Sequence, residues 1–170
     1  MQRSDDGMTL PELLLALVVV VLMATLGWSG MGRSLARSRV EAAARQLVVG
    51  LEQARNAAEV AGSPCALALS SAGWAEATAA ESGSELPPCQ LSERRLGEGV
   101  QLRHNLPGAL RVASNGLVLD GGTVVVAAHG TDLRRCLVVS LPLGVVRMGR
   151  SKAAAGAAIR SVDCVADPSL

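Results

Sequence analysis

The sequence predicts an α+β fold in which one long N-terminal helix packs against an antiparallel β-sheet head. Residues 13–26 contain neither a charge nor a glycine. Apolar residues then recur at three- to five-residue spacing up to residue 61, as on one face of an amphipathic helix. From residue 65 onward the chain changes to short β-branched runs separated by glycine and proline, which is typical of strands and turns.

The first helical segment is predicted over residues 8–28, where Glu12 is the only charge. At about 1.5 Å rise per residue this segment spans about 32 Å, which is enough to cross the apolar core of a bilayer. Thr9 is expected to be the N-cap of a capping box, with Pro11 in the first turn and Glu12 reaching back to the cap. The helix macrodipole also favours a carboxylate at this end, so Glu12 has a structural interpretation of its own.

Residues 29–61 are predicted to continue the same helix as its amphipathic half. A hinge at residues 27–30, which include two glycines, would instead divide the segment into two helices. Residues 62–64, Gly-Ser-Pro, end the helix in either case. The face expected to be buried consists of Leu35, Val40, Ala43, Leu47, Leu51, Ala54 and Ala58.

About 140 residues follow the leader and the membrane segment, which is enough for a single core. Within them, residues 62–170 are predicted to form one β-rich head. Asp-Gly-Gly at residues 120–122 is expected to turn a hairpin, and residues 74–88 are interpreted as a long loop. The core must be built from Val, Leu and Ala, since Tyr and Phe are absent. Strands are predicted at residues 65–69, 90–94, 100–103, 110–112, 117–119, 123–128, 136–141 and 145–148.

The segment Asp-Asp-Gly-Met-Thr-Leu-Pro-Glu at residues 5–12 resembles the class III leader of type IV prepilins and type II secretion pseudopilins. The resemblance implies that residues 1–7 are a leader, that a prepilin peptidase cuts after Gly7, and that the same enzyme methylates Met8. Glu12 becomes the fifth mature residue, whose charge the N-terminal amine of a neighbouring subunit neutralises during assembly. This assembly role is compatible with the capping role.

A narrower resemblance, to the GspH/FimT pseudopilins, rests on the end of the helix and on the head. Residues 54–58 (Ala-Arg-Asn-Ala-Ala), residues 62–69 and Gly73-Trp74 are similar to that family in order and spacing. Asn115-Gly116 and residues 137–147 resemble its closing strands, although Val145 replaces the first arginine of the common Gly-Arg-Val-Arg. The resemblance implies a pilin-like fold and a minor pilin or pseudopilin that assembles with other pilin subunits.

The same resemblance implies a single-pass protein of the bacterial inner membrane, with a cytoplasmic N-terminus and a periplasmic head. After assembly it would belong to a periplasmic pseudopilus or to a surface pilus, and the sequence does not distinguish a type II secretion pseudopilus from a type IV pilus. No catalytic residue and no cofactor is expected, because the chain has no nucleophile elbow, glycine-rich phosphate loop or paired-histidine helix.

Four cysteines, Cys65, Cys89, Cys136 and Cys164, form an even set in a domain that the leader would export. An oxidising compartment favours disulfides, and three pairings are possible. We prefer Cys65 with Cys89 and Cys136 with Cys164, because each bond then closes one local loop. No metal site is expected, since the cysteines are far apart in sequence and both histidines are isolated from them.

Basic residues concentrate near the C-terminus, where Asp163 alone opposes six of them between residues 134 and 164. Such groups bind phosphates by counterion release with little sequence preference. The FimT branch of the family is associated with DNA uptake through a basic C-terminal region, so a minor pilin that binds double-stranded DNA is the alternative function. A solvated face, or a contact with the acidic loop of the next filament subunit, also explains the set. The candidate DNA-binding residues are Arg134, Arg135, Arg147, Arg150, Lys152 and Arg160.

Overall fold

The chain has an α+β fold with antiparallel sheets, as predicted. The computed structural model describes residues 9–77, 86–91, 95–141, 143–154 and 156–167, and for residues 24–31 it describes the helical backbone alone. The elements in chain order are helix α1 (Leu10–Ala61), strands β1 (Cys65–Ser70), β2 (Gly73–Glu76), β3 (Val100–His104), β4 (Leu110–Val112), β5 (Gly122–Ala128), β6 (Arg135–Ser140) and β7 (Val145–Ser151), a 3-10 turn (Ser161–Asp163) and β8 (Cys164–Val165).

Both ends of α1 lie close to the positions that the sequence predicts. Thr9 is extended, with φ −75° and ψ 149°, and its carbonyl accepts the Glu12 N–H at 3.0 Å. The predicted capping box is wrong in one respect, because the Thr9 side chain makes no capping hydrogen bond. At the other end Gly62 adopts φ 61°, and its N–H donates to the Glu59 carbonyl at 3.2 Å. Left-handed backbone favours glycine, so the helix ends there.

The helix passes through residues 27–30 without dividing into two. Its predicted apolar face is correct except at its start, because Leu35 is 52% exposed and Ala36 is buried instead. Ala36 lies four positions before Val40, in phase with the rest of the stripe, whereas Leu35 is rotated away by about 100°. The buried stripe consists of Ala36, Val40, Ala43, Ala44, Leu47, Leu51, Ala54 and Ala58.

Two antiparallel sheets pack against the stripe of α1. One has the strand order β2-β1-β4 and the other has the order β3-β5-β6-β7-β8. Leu47 of the helix shares one hydrophobic core with Leu67 of β1, Val126 of β5 and Leu137 of β6. The helix stripe and the sheet faces that meet in this core are all apolar. Their removal from water therefore holds α1 against both sheets.

Strand β2 lies inside the segment that the sequence assigns to a loop. It pairs antiparallel with β1, and its Trp74 indole N–H donates to the Leu47 carbonyl of α1 at 2.7 Å. The Trp74 ring also lies against Gly50, where an added Cβ would overlap the indole Cδ1. A contact with the helix, which no local pattern reveals, therefore holds this strand in place.

The hairpin predicted at residues 120–122 is wrong. Residues 117–119 turn back on β4 and make one isolated bridge, between Val112 and Val118, instead of forming a strand. The turn lies at Gly116, which adopts φ 73° and donates its N–H to the Ala113 carbonyl at 2.9 Å. Strand β5 pairs with β3 and β6, so it leaves residues 117–119 without a partner in that sheet.

The other strand predictions have mixed outcomes. Six are confirmed, with ends that differ by at most three residues. Of the strand predicted at residues 90–94, residues 90–91 lie outside any strand and residues 92–94 lie outside the described residues. The short strand β8 pairs with the end of β7 and is not predicted, because two residues carry no periodic signal.

The N-terminal part of α1, residues 10–23, differs from the rest of the helix. Its eleven large apolar side chains are all exposed, from 42% at Val19 to 76% at Leu10. From Ala36 onward the head covers one side of the helix. Judged on the described residues, no helix is both long enough and apolar enough to cross a membrane.

Candidate functional site

The candidate assembly site is the first turn of α1. Glu12 is the acidic residue of this turn, and it is exposed in front of the apolar residues 13–23. No side chain of the described residues forms a salt bridge with its carboxylate. The predicted processing residues Gly7 and Met8 lie outside the described residues. In the described part of the chain, an acidic side chain without a salt-bridge partner therefore lies at the start of a helix segment whose apolar side chains are exposed.

Both disulfides join the pairs that the sequence favours. Cys65 bonds to Cys89 across a separation of 24 residues, and Cys136 bonds to Cys164 across 28 residues. All four cysteines are buried. The first bond ties β1 to the segment at residues 86–91, and the second ties β6 to the short strand β8 beyond β7.

The candidate DNA-binding residues do not lie on one surface, and Arg135 shows this best. Its side chain is 2% exposed, with Nη1 2.6 Å from Asp167 Oδ2 and Nη2 3.3 Å from Glu41 Oε1. Its Nε has no hydrogen-bond partner among the described residues. The two acids are distant in sequence, so no local pattern reveals that this arginine is buried. Arg135 thus links β6 to α1 and to the C-terminal segment.

Arg134 and Arg160 are also engaged within the head. Arg134 Nη1 donates to the Ala153 carbonyl at 2.7 Å, and Arg160 Nε lies 3.1 Å from Asp163 Oδ2. Arg103, which the sequence did not single out, donates Nη2 to the Ala157 carbonyl at 2.9 Å. The bonds from Arg103 and Arg134 hold residues 152–154 and 156–164 over the outer face of the five-stranded sheet, and a partly open cavity of about 290 Å³ lies between them.

The remaining three basic residues are exposed and divide between two faces. Arg147 and Arg150 lie three positions apart in β7, and side chains alternate along a strand, so they point to opposite faces. Arg150 shares its face with Val146 and Met148, which pack against the core beside α1. Arg147 and Lys152 make no salt bridge with any described residue.

Arg111 and Asp120 form the tightest ion pair outside the core. Arg111 Nε and Nη2 each donate to the Asp120 carboxylate at 2.8 Å, and the Arg111 backbone N–H donates at 2.9 Å. The guanidinium hydrogen bonds hold the pKa of Asp120 below its ordinary value, against the opposing effect of partial burial. The same bonds raise the pKa of Arg111. The pair closes the turn at Gly116.

In the parts of the chain that the structure describes, no group of three or more His, Cys, Asp and Glu side chains is placed to hold a metal ion. Comparison with known proteins gives no match: no family model fits the chain, and no curated protein and no solved structure is significantly similar to it.

Proposed function

We propose that the chain is a minor pilin or pseudopilin, a structural subunit of a type II secretion pseudopilus or a type IV pilus. The observation that carries the proposal is the division of α1 into two halves. Residues 10–23 expose their large apolar side chains, whereas the stripe that begins at Ala36 is buried by the head. An apolar helix surface of this extent needs lipid, or helices of other subunits, around it.

The bare half is proposed to lie in the bacterial inner membrane before assembly. Residues 10–23 alone cover about 20 Å. The sequence continues without a charge through Trp28, which brings the apolar length to about 28 Å, close to the bilayer core of about 30 Å. The N-terminus would be cytoplasmic and the head periplasmic. The two disulfides support this placement of the head, because disulfides persist in an oxidising compartment.

Glu12 is proposed to direct assembly with other pilin subunits. It is the only charge in residues 8–28, and a carboxylate in lipid is costly unless a cation neutralises it. Cleavage after Gly7 by the prepilin peptidase would create such a cation, the amine of Met8, on each neighbouring subunit. The absence of a salt-bridge partner for Glu12 among the described residues supports this role.

The first test is Glu12→Ala in cells that contain a prepilin peptidase and the assembly machinery. The variant should be processed and remain in the membrane, yet its recovery in sheared filaments should fall about tenfold or more, because a buried neutralised pair is lost. Glu98→Ala, which removes an exposed carboxylate of the head, is the matched control. If both variants are recovered at the wild-type level, Glu12 has no role in assembly and only stabilises the first turn of the helix.

A second test addresses processing directly. Gly7→Ala should block cleavage, because the resemblance places the cut after a glycine, and the variant should run as the longer precursor on a gel. If the variant and the wild type have the same mobility in cells with the peptidase, and both are shortened, the leader assignment is wrong.

Capture of duplex DNA is the second candidate function. Arg147 and Lys152 favour it, because they are exposed and form no salt bridge with a described residue, whereas Arg134, Arg135 and Arg160 are engaged within the head. Salt-steep binding of a labelled duplex, measured by fluorescence anisotropy with the full chain in detergent, should disappear in Arg147→Glu/Arg150→Glu/Lys152→Glu if this function is correct. No binding at low salt would remove this candidate.

A further inference from the structure

Two arginines, Arg33 and Arg37, lie on the side of α1 that faces the head, near the point where the helix extends beyond the head. Arg33 lies about one turn before Ala36 and Arg37 about one turn before Val40, so both exposed arginines lie close to the helical phase of the buried stripe. Here an open cavity of about 440 Å³ lies between the helix and the five-stranded sheet. It is lined by Arg33, Ser34 and Arg37 of α1, by Thr131 and Asp132 of the segment before β6, and by Arg150 of β7.

Three cations and one carboxylate therefore face this cavity. Among the described residues, no salt bridge involves the side chain of Arg33, Arg150 or Asp132. Arg37 Nε lies 3.6 Å from Glu41 Oε1, but Glu41 also serves the buried Arg135. Three guanidinium groups against one carboxylate leave the cavity lining with a net positive charge. Such a lining is suited to a phosphate, which accepts two N–H donors from one arginine.

The position of the cavity identifies the source of the phosphate, and this step rests on the proposed function. Arg33 follows Trp28 by five residues, about 8 Å along the helix, and the headgroup layer of a bilayer is about 5–8 Å thick on each side. Helical Cα–Cβ bonds tilt toward the N-terminus, so Arg33 and Arg37 lean toward the membrane. Long arginine side chains can keep their stems on apolar surface while the charged ends reach the headgroups.

We propose that the cavity formed by Arg33, Arg37 and Arg150 binds the phosphate of an anionic phospholipid headgroup on the periplasmic side of the membrane. The hydroxyls of Ser34 and Thr131 line the same cavity and supply further donors. Since Arg33 and Arg37 belong to α1 and Arg150 belongs to β7, one headgroup would hold the head at a fixed angle above the bilayer. The head would be released when the subunit moves into the filament.

The test is lipid titration of the full chain in detergent, followed by native mass spectrometry. Phosphatidylglycerol should bind the wild type about tenfold more tightly than zwitterionic phosphatidylcholine, and Arg33→Gln/Arg150→Gln should remove this preference. The matched control is Arg147→Gln/Lys152→Gln, which removes two exposed charges outside the cavity and should keep the preference. Arg33→Lys/Arg150→Lys, which keeps the charges, should retain part of it.

Three outcomes would overturn the proposal. Equal loss of preference in the two Gln variants would mean that only net charge matters. Displacement of the lipid by inorganic phosphate at similar affinity would identify a site for the free anion. An unchanged preference in Arg33→Gln/Arg150→Gln, with the chain resistant to carbonate extraction from membranes, would remove the lipid site and leave the proposed function intact. Release of the chain by carbonate would instead remove the proposed function itself.

Discussion

The contact between α1 and β2 depends on the glycine at position 50, because the Trp74 ring occupies the space where a side chain would lie. Gly50→Ala should lower the free energy of unfolding by about 1–3 kcal/mol, because the added Cβ would push the indole off the Leu47 carbonyl. Thermal unfolding of the full chain in detergent measures this effect. Gly32→Ala is the control: it adds the same methyl to the same helix with nothing within 4 Å, so it should be neutral or stabilising by up to about 1 kcal/mol. Equal effects would contradict the account.

Arg135 is a structural ion-pair residue rather than a surface cation. Arg135→Met should destabilise the head by about 1–3 kcal/mol, because Glu41 and Asp167 would lose their shared buried partner while Glu41 keeps Arg37 and Arg45. Denaturant titration of the full chain measures the loss. Arg147→Met, at an exposed position of β7, should change stability by less than about 0.5 kcal/mol. A small loss in both variants would contradict the buried role.

Asp120 predicts a pH dependence of stability. Its pKa in the folded chain lies below the unfolded value of about 3.9, so the stabilisation is fully present above that value and is lost as the pH falls through the folded pKa. Asp120→Asn should therefore be less stable than the wild type at pH 6, and the difference should shrink as the pH falls below about 4. Denaturation midpoints across pH test this. A difference that is constant with pH, or one that Asp132→Asn reproduces, would contradict the assignment.

At the scale of elements, the C-terminal segment depends on the Cys136–Cys164 bond. Cys136→Ser/Cys164→Ser should lose about 3–4 kcal/mol of stability by the chain-entropy estimate, and trypsin should cut faster after Arg160. Cys65→Ser/Cys89→Ser should lose a similar free energy, since its loop is of similar length, without faster cleavage at Arg160. Limited proteolysis with mass detection separates the two variants. Equal cleavage would show that the segment is held without the disulfide.

The elements that the sequence predicts well are those with a periodic pattern. The stripe of α1 and six strands carry such patterns, and Gly62 ends the helix by a local backbone preference. Strand β2 and the turn at Gly116 escape prediction, because Trp74 bonds to a helical carbonyl and Asp120 bonds to Arg111. Each of these contacts joins two separate segments, so the local sequence pattern of either segment does not reveal it.

At the scale of the whole molecule, the positions of the charged side chains are harder to predict from the sequence than the fold. The basic C-terminal residues form a compact set in sequence, yet strand alternation separates Arg147 from Arg150, and two distant acids bury Arg135. The cavity at the junction of helix and head has no compact signal in the sequence, because its cations come from two distant elements, α1 and β7. A signal for it does exist: Arg33 and Arg37 occupy the phase of the buried stripe, where apolar residues are expected.

The intact mass of the chain tests whether α1 is the processed assembly helix of a pilin-like subunit, as proposed. The chain is isolated from membranes of cells that contain a prepilin peptidase, and its N-terminus is read by mass spectrometry. The expected chain begins at Met8 and carries one N-terminal methyl group. A chain that retains residues 1–7, or one cut beyond the apolar helix after Trp28, would contradict it.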